Sequence, residues 1–191
     1  NMAGGTHHAH FSYGSGYCIF NDLAICAIKA IKDFEEINNV LIIDLDVHQG
    51  DGTASILENY KNIFTFSMHC KNNFPLKKMS SDLDVSLEKG MQDCEYLEIL
   101  QKQIEIIKKQ NVDLIFFQAG VDILSSDNLG YLKISRAGVR KRNKIVLDFA
   151  KSKRVPLVIF MGGGYSKPIQ YSVDSFVDLF TQCSKYTTNF T

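Results

Sequence analysis

The sequence predicts an α/β fold, a parallel β-sheet flanked by helices on both faces, three layers in all. Three observations lead there. Short apolar runs at residues 40–43, 63–68, 114–117 and 157–160 read as strands buried on both faces. Stretches with helical spacing lie between them, the alternation that builds a parallel sheet. Each run gives way, at or just beyond its C-terminal end, to polar or glycine-rich sequence: residues 44–51, 67–69, 122 and 162–165. Open α/β sheets bind ligands at the carboxyl ends of their strands, so these segments are expected on one rim.

Taken in order, Gly4 and Gly5 form a turn leading into the adjacent His7 and His8, and residues 12–16 are a second flexible stretch. From Asn21 onward Leu23, Ala24, Ala27, Ile28, Ile31 and Phe34 recur at helical spacing, with Asn21 or Asp22 as the cap. A turn at Asn38 and Asn39 precedes the first strand. Residues 52–60 read as a short helix with Ile56, Leu57 and Tyr60 inward, and a strand follows at 63–68. Residues 69–92 carry turn chemistry (Asn72, Asn73, Pro75, Ser80, Ser81, Gly90) and are expected to be irregular. Residues 93–109 form an amphipathic helix with Leu97, Leu100, Ile104 and Ile107 on one face. The third strand ends toward Asp122, and Ser135 caps a helix running to about residue 151. The fourth strand ends at Gly162, Gly163, Gly164 and Tyr165, and a last helix spans about 167–180 before a polar tail.

The 191 residues suffice for one domain with a sizeable core. Lys plus Arg and Asp plus Glu are equal at 21 each, so charge gives no support for direct nucleic-acid binding or a membrane surface. No apolar run approaches the ~20 residues of a membrane span, and no signal-peptide pattern is present. Five scattered cysteines without a C-x-x-C pair fit a reduced, intracellular setting, cytoplasmic or, in a eukaryote, nuclear. Chemistry-bearing residues begin at Gly4, so the single domain of residues 1–191 is expected to be N-terminally incomplete.

The densest polar cluster follows the first strand. Asp44, Asp46 and His48 alternate, which on extended backbone points them to one side. Two carboxylates and an imidazole converging there are costly unless paired, and a divalent cation is the simplest partner. Asp46, His48 and Asp122 make a three-ligand set suited to Zn²⁺ or Fe²⁺ with room for a water. His7 and His8 can flank that water. Asp44 and Asp51, left over, are expected to pair with them and fix their tautomers. Tyr165, lifted by three glycines, can offer a hydroxyl to a developing oxyanion. Together these parts describe hydrolysis of an amide or ester. Singly, each has a plainer reading: a histidine pair in a loop, an aspartate as a helix cap, three glycines as a phosphate cradle. Their coincidence at several strand ends favours the site. The run Arg140, Lys141, Arg142 reads as a solvated helix face.

These residues resemble the zinc-dependent histone deacetylases, within the arginase/deacetylase fold. Residues Gly4 to Ala9 are similar to the family's G-G-x-H-H-A, Gly16 to Asp22 to G-F-C-x-x-N-D, and Asp44 to Gly52 to D-L-D-x-H-x-G-D-G. Ala119 to Asp122 and Gly163 to Tyr165 match later landmarks. Gln49 stands where many members have a second histidine. With Leu129, Gly130, Ile134 and Ser135, the chain looks most like class IV.

The resemblance implies Zn²⁺ on Asp46, His48 and Asp122. It implies His8, paired with Asp51, as general base and then acid, and His7, paired with Asp44, as an electrostatic assistant. Tyr165 would polarise the scissile carbonyl. Gly16 would accept the substrate amide N–H, and Tyr17 and Phe74 would flank the acyl-lysine chain, with Leu129, Gly163 and Gly164 also on the substrate side. Asp44, Asp46, His48, Ser67 and Met68 would hold a structural K⁺. The implied function is a zinc-dependent lysine deacetylase or deacylase acting on acyl-lysine proteins or peptides. An amidohydrolase of acetylpolyamines or other small molecules is the alternative, and a non-catalytic acyl-lysine reader is disfavoured because ligands, base and tyrosine are all present.

Overall fold

The computed structural model describes residues 1, 2 and 4–187. Ten elements follow one another: α1 (Asp22–Asp33), β1 (Val40–Asp44), α2 (Asp51–Leu57), β2 (Ile63–Cys70), β3 (Leu83–Leu87), α3 (Asp93–Ile107), β4 (Leu114–Gln118), α4 (Arg136–Lys153), β5 (Leu157–Phe160) and α5 (Gln170–Thr187). The five strands form one sheet in the order β3-β2-β1-β4-β5, every neighbour parallel.

Alternation along β1 sends its side chains into two cores. Leu41 and Ile43 join the larger one, with Phe117 of β4 and residues of α3, α4 and α5 such as Leu100, Val146 and Leu179. Val40 and Ile42 join the smaller one, with Leu114, Phe116, Leu57 of α2 and Leu23, Ala24 and Ala27 of α1. That gives the expected three layers. The register matters more for function. Asp44 lies beside Ser67 of β2 and Gln118 of β4, and Gln118 beside Phe160 of β5, so β1, β4 and β5 end abreast while β2 runs three residues further, to Cys70. The loops leaving them share one rim.

Several expectations need correction: β5 is not buried on both faces, for it is an edge strand and its Val158 is exposed. Residues 69–92 are not wholly irregular, because β3 lies within them as an edge strand beside β2. One face of β3 is exposed at Asp84 and Ser86, so its apolar residues Leu83, Val85 and Leu87 alternate instead of forming a run, and the turn residues around them hide that period. Tyr60 is not inward. α2 stops at Leu57 and the Tyr60 ring is 40% exposed. The last helix extends beyond the expected 180 to Thr187, and the tail at 188–191 lies outside the described residues. Among the described residues no helix is long and apolar enough to cross a membrane.

Candidate active site

The segment before α1 carries the histidine pair to the rim, and the start of α1 holds it there. Asn21 caps the helix by accepting from the Ala24 N–H at 2.9 Å. Its Nδ2 donates back to the carbonyls of His7 and Ala9, both at 3.1 Å. Asp22 does not cap. Its carboxylate accepts from the N–H groups of Gly5 and Thr6 at 2.9 Å each. Gln118 at the end of β4 donates to the Gly5 carbonyl at 2.8 Å, which ties the turn to the sheet. Gly5 has φ +97° and packs on the backbone of Gly162, a conformation and an approach that favour glycine.

Held this way, His7 presents Nδ1 to Asp44 Oδ2 at 2.6 Å and His8 presents Nδ1 to Asp51 Oδ1 at 2.6 Å. The expected pairs thus come together, from residues 37 and 43 positions apart. All four residues are buried. Burial pulls the His7 imidazole down, but Asp44 and Asp46 together outweigh it and hold it up at about 9. Burial, then cationic His7 beside it, pushes His8 down to about 4. The two neighbouring rings, 4.1 Å apart, are therefore shifted in opposite directions, His7 toward holding a proton and His8 toward the neutral form.

Asp46, His48 and Asp122 are buried and offer ligand atoms within 4.8 Å of one another. His48 Nδ1 lies 3.1 Å from Asp46 Oδ1 and 3.1 Å from Asp122 Oδ2. The route differs from the one expected. Extended backbone stops at Asp44, and residues 46–48 are bends. Those bends place Asp46 and His48 against Asp122 while Asp44 turns to His7. The backbone fixes each carboxylate further: Val47 N–H donates to Asp122 Oδ1 at 2.9 Å and Gly163 N–H to Asp46 Oδ2 at 2.9 Å. Burial and the charge of Asp46 raise the Asp122 carboxyl to about 7, while His48 is held up at about 11 because the two carboxylates outweigh its burial. Two facing carboxylates and an imidazole, buried together, carry a mutual cost that a shared divalent cation removes. The donor set fits such an ion.

A cavity of about 530 Å³ opens above these groups, lined by His7, His8, Gly16, Tyr17, Asp46, His48, Phe74, Asp122, Leu129, Gly163 and Tyr165, among others. That is the size of a small-molecule site. The Phe74 ring stands edge-on to His8, centroids 4.8 Å apart. Gly16 has φ +50° and packs against the His8 ring, where a Cβ would collide. Its carbonyl accepts from the Cys18 thiol at 3.3 Å. Tyr17 lines the cavity but is 88% exposed. Burial, then the Asp46 and Asp122 carboxylates, push the Tyr165 phenol up, so it stays a donor. Gly164 departs from expectation: it faces Val121, Ser172 and Phe176 and is not among the residues lining the cavity. Ser67 is the register neighbour of Asp44, and its hydroxyl lies 3.0 Å from His69 Nδ1. The Met68 side chain is in the larger core, which leaves its backbone for any ion.

The histone deacetylase domain, as a family, matches residues 1–180. The chain belongs to the histone deacetylase family. It is similar to an uncharacterized protein of Picosynechococcus (47% identity, 88% of this chain and 56% of that one). It is also similar to Histone deacetylase 2 of Arabidopsis thaliana (35% identity, 87% of this chain and 44% of that one). Among solved structures, an HDAC homologue from Aquifex aeolicus superposes with a TM-score of 0.82 at 26% identity, over 97% of this chain and 51% of that one. The chain spans about half the length of the curated relatives it matches. The parallel sheet is thus that of the arginase/deacetylase fold.

Several residues of this deacetylase-family site were not legible beforehand. His10 Nε2 lies 3.2 Å from the second oxygen of Asp51, and its ring stacks on Tyr13. Asp127 accepts from the N–H groups of Leu129 and Gly130 and of Tyr165, joining two loops of the rim. Arg142 overturns its reading as solvated: it is fully buried, and donates to the carbonyls of Leu45, Ala119 and Gly120, in the segments that carry Asp46 and Asp122. Its neighbours Arg140 and Lys141 are exposed as expected. Helical periodicity held the signal for Arg142, since it lies on the same face as Val139 and Val146, both buried.

Proposed function

We propose that this chain carries the reaction centre of a zinc-dependent hydrolase that removes acetyl or longer acyl groups from lysine side chains. The observation that supports this reading most is the pairing of His8 with Asp51 beside the buried set of Asp46, His48 and Asp122, on one cavity that Tyr165 also lines. Zn²⁺ held by Asp46, His48 and Asp122 would polarise the scissile carbonyl and make the attacking water more acidic.

The other roles belong to the chain. Asp51 accepts from His8 Nδ1 and so leaves Nε2 as the basic nitrogen. His8, neutral because of burial and its cationic neighbour, takes the proton of the water and returns it to the departing amine. His7, oriented by Asp44, favours negative charge developing in the cavity. The Tyr165 hydroxyl donates to the substrate carbonyl oxygen. Gly16, Tyr17, Phe74, Leu129 and Gly163 surround the acyl-lysine chain. Asp44, Asp46, His48, Ser67 and Met68 hold a structural K⁺, largely through carbonyl oxygens. Gln49 in place of a second histidine supports a class IV affiliation. An intracellular acyl-lysine protein or peptide is the substrate class.

The test is a panel of acetyl-lysine peptide, longer acyl-lysine peptides and an acetylpolyamine on the full-length, zinc-loaded protein, with Tyr165→Phe beside it. Turnover of the peptides that drops at least ~10² in kcat for Tyr165→Phe is expected. Turnover of the acetylpolyamine alone would assign the site to small molecules, and near-native turnover by Tyr165→Phe would remove this mechanism.

A further inference from the structure

One buried amide joins two walls of the cavity without belonging to the metal set or the histidine pairs. Asn73 follows β2, and both ends of its side chain are engaged. Its Oδ1 accepts from the Phe74 N–H at 2.7 Å, and its Nδ2 donates to the Leu129 carbonyl at 2.8 Å, 56 residues along the chain. Phe74 and Leu129 both line the cavity.

Each wall is anchored separately. On the Phe74 side, Lys78 Nζ donates to the carbonyls of Asn73 and Pro75 at 2.7 and 2.5 Å. Gln49, directly after His48, holds Met79 at both its N–H and its carbonyl, at 2.9 and 2.7 Å. On the Leu129 side, Asp127 accepts from Leu129, Gly130 and Tyr165. The Asn73–Leu129 bond links these two anchored arms. It therefore couples the ring packed on His8 to the loop that carries Tyr165.

We propose that Asn73 is a positioning residue that sets the gap between Phe74 and Leu129, and thereby the acyl chain the cavity accepts. The inference rests on the lysine-deacylase reading for its substrate, but not for its geometry. A hydrogen bond of this kind contributes modestly to stability, so cutting it loosens the walls without unfolding the chain. Asn73→Asp is the sharpest cut. It keeps the oxygen that Phe74 N–H needs, and it turns the donor facing Leu129 into an acceptor against an acceptor.

The experiment uses the full-length, zinc-loaded protein with acetyl- and octanoyl-lysine peptides. For Asn73→Asp, the octanoyl-to-acetyl ratio of kcat/KM is expected to rise at least ~5-fold, through KM, with kcat on the acetyl peptide within ~3-fold of native. Amide hydrogen exchange is expected to accelerate at least ~5-fold at residues 74–79 and 129–131 and to stay unchanged in β1 and β4. Asn73→Ser, which retains an oxygen for Phe74 and introduces no repulsion, should move both readouts the same way and serves if the aspartate variant does not fold. An unchanged ratio, or equal loss on both peptides, overturns the proposal. If the native protein turns over neither peptide, the deacylase reading fails, and exchange decides the coupling alone: faster exchange at both walls upholds it and unchanged exchange overturns it.

Discussion

His8 Nδ1 and Asp51 Oδ1 lie 2.6 Å apart, and the other oxygen of the same carboxylate lies 3.2 Å from His10 Nε2. Despite burial, the two imidazoles hold the Asp51 carboxyl below its usual range. Asp51 is thus an acceptor from both sides. Replacing it with an amide offers His8 a donor and favours the wrong tautomer. Asp51→Asn is expected to lower kcat by about 10²–10⁴ with KM within a few fold. Steady-state kinetics on an acetyl-lysine peptide checks this; kcat within threefold of native would refute it. Asp44→Asn leaves the His8 pair intact and should cost less.

The buried Asp46, His48 and Asp122 set predicts a metal-dependent stability. An ion that binds only the folded chain at ~100 times its Kd adds about 2.7 kcal/mol. Removing it with a chelator should lower Tm by roughly 5–10 °C. Asp122→Asn should erase the difference. Gly163→Ala should weaken Zn²⁺ at least tenfold in a competition titration, because a Cβ there collides with the Asp122 carboxylate. A chelator-insensitive Tm in the native protein would count against the site.

Among the described residues Arg142 is the largest fully buried side chain. Arg142→Met retains apolar bulk but leaves the carbonyls of Leu45, Ala119 and Gly120 without that donor. The expected loss is about 2–4 kcal/mol, read as a drop of roughly 5–15 °C in thermal unfolding. A surface arginine, as the run 140–142 suggests by composition, would change Tm by little, so a shift under 2 °C would reverse the assignment.

Asn21 serves the helix and the histidine turn at once, and two substitutions separate those roles. Asn21→Ser can keep an oxygen for Ala24 N–H but cannot reach the carbonyls of His7 and Ala9. It is expected to cost about 1 kcal/mol and to lower kcat. Asn21→Ala loses the cap as well and should cost about 2 kcal/mol. Equal kcat for both variants and native would detach the cap from the site.

The chain order of chemistry was readable because converging carboxylates and imidazoles, like buried strands, are demanding of residue type. Val40 to Ile43 could be little but a buried strand, and Asp46, His48 and Asp122 had few structural alternatives as a group. β3 was not readable, since polar residues on its wet face break the apolar run, whereas β5, the other edge strand, keeps the unbroken run Leu157 to Phe160 although Val158 is exposed. Arg142 was misread because charge suggests solvent, whereas three backbone carbonyls in a closed core accept its donors just as well.

The motifs carried the resemblance to the family; read residue by residue, the sequence determined the layered α/β class and the residue types at the rim. These follow from periodicity and local chemistry, which neighbouring residues carry. Tertiary structure alone decided that Asn21 grips the His7 turn and that bends, not a strand, bring Asp46 and His48 to Asp122. It also decided that Asn73 spans from Phe74 to Leu129. Each of these is a contact between distant segments, and it exists only once the register of β1, β2 and β4 sets Asp44, Ser67 and Gln118 side by side.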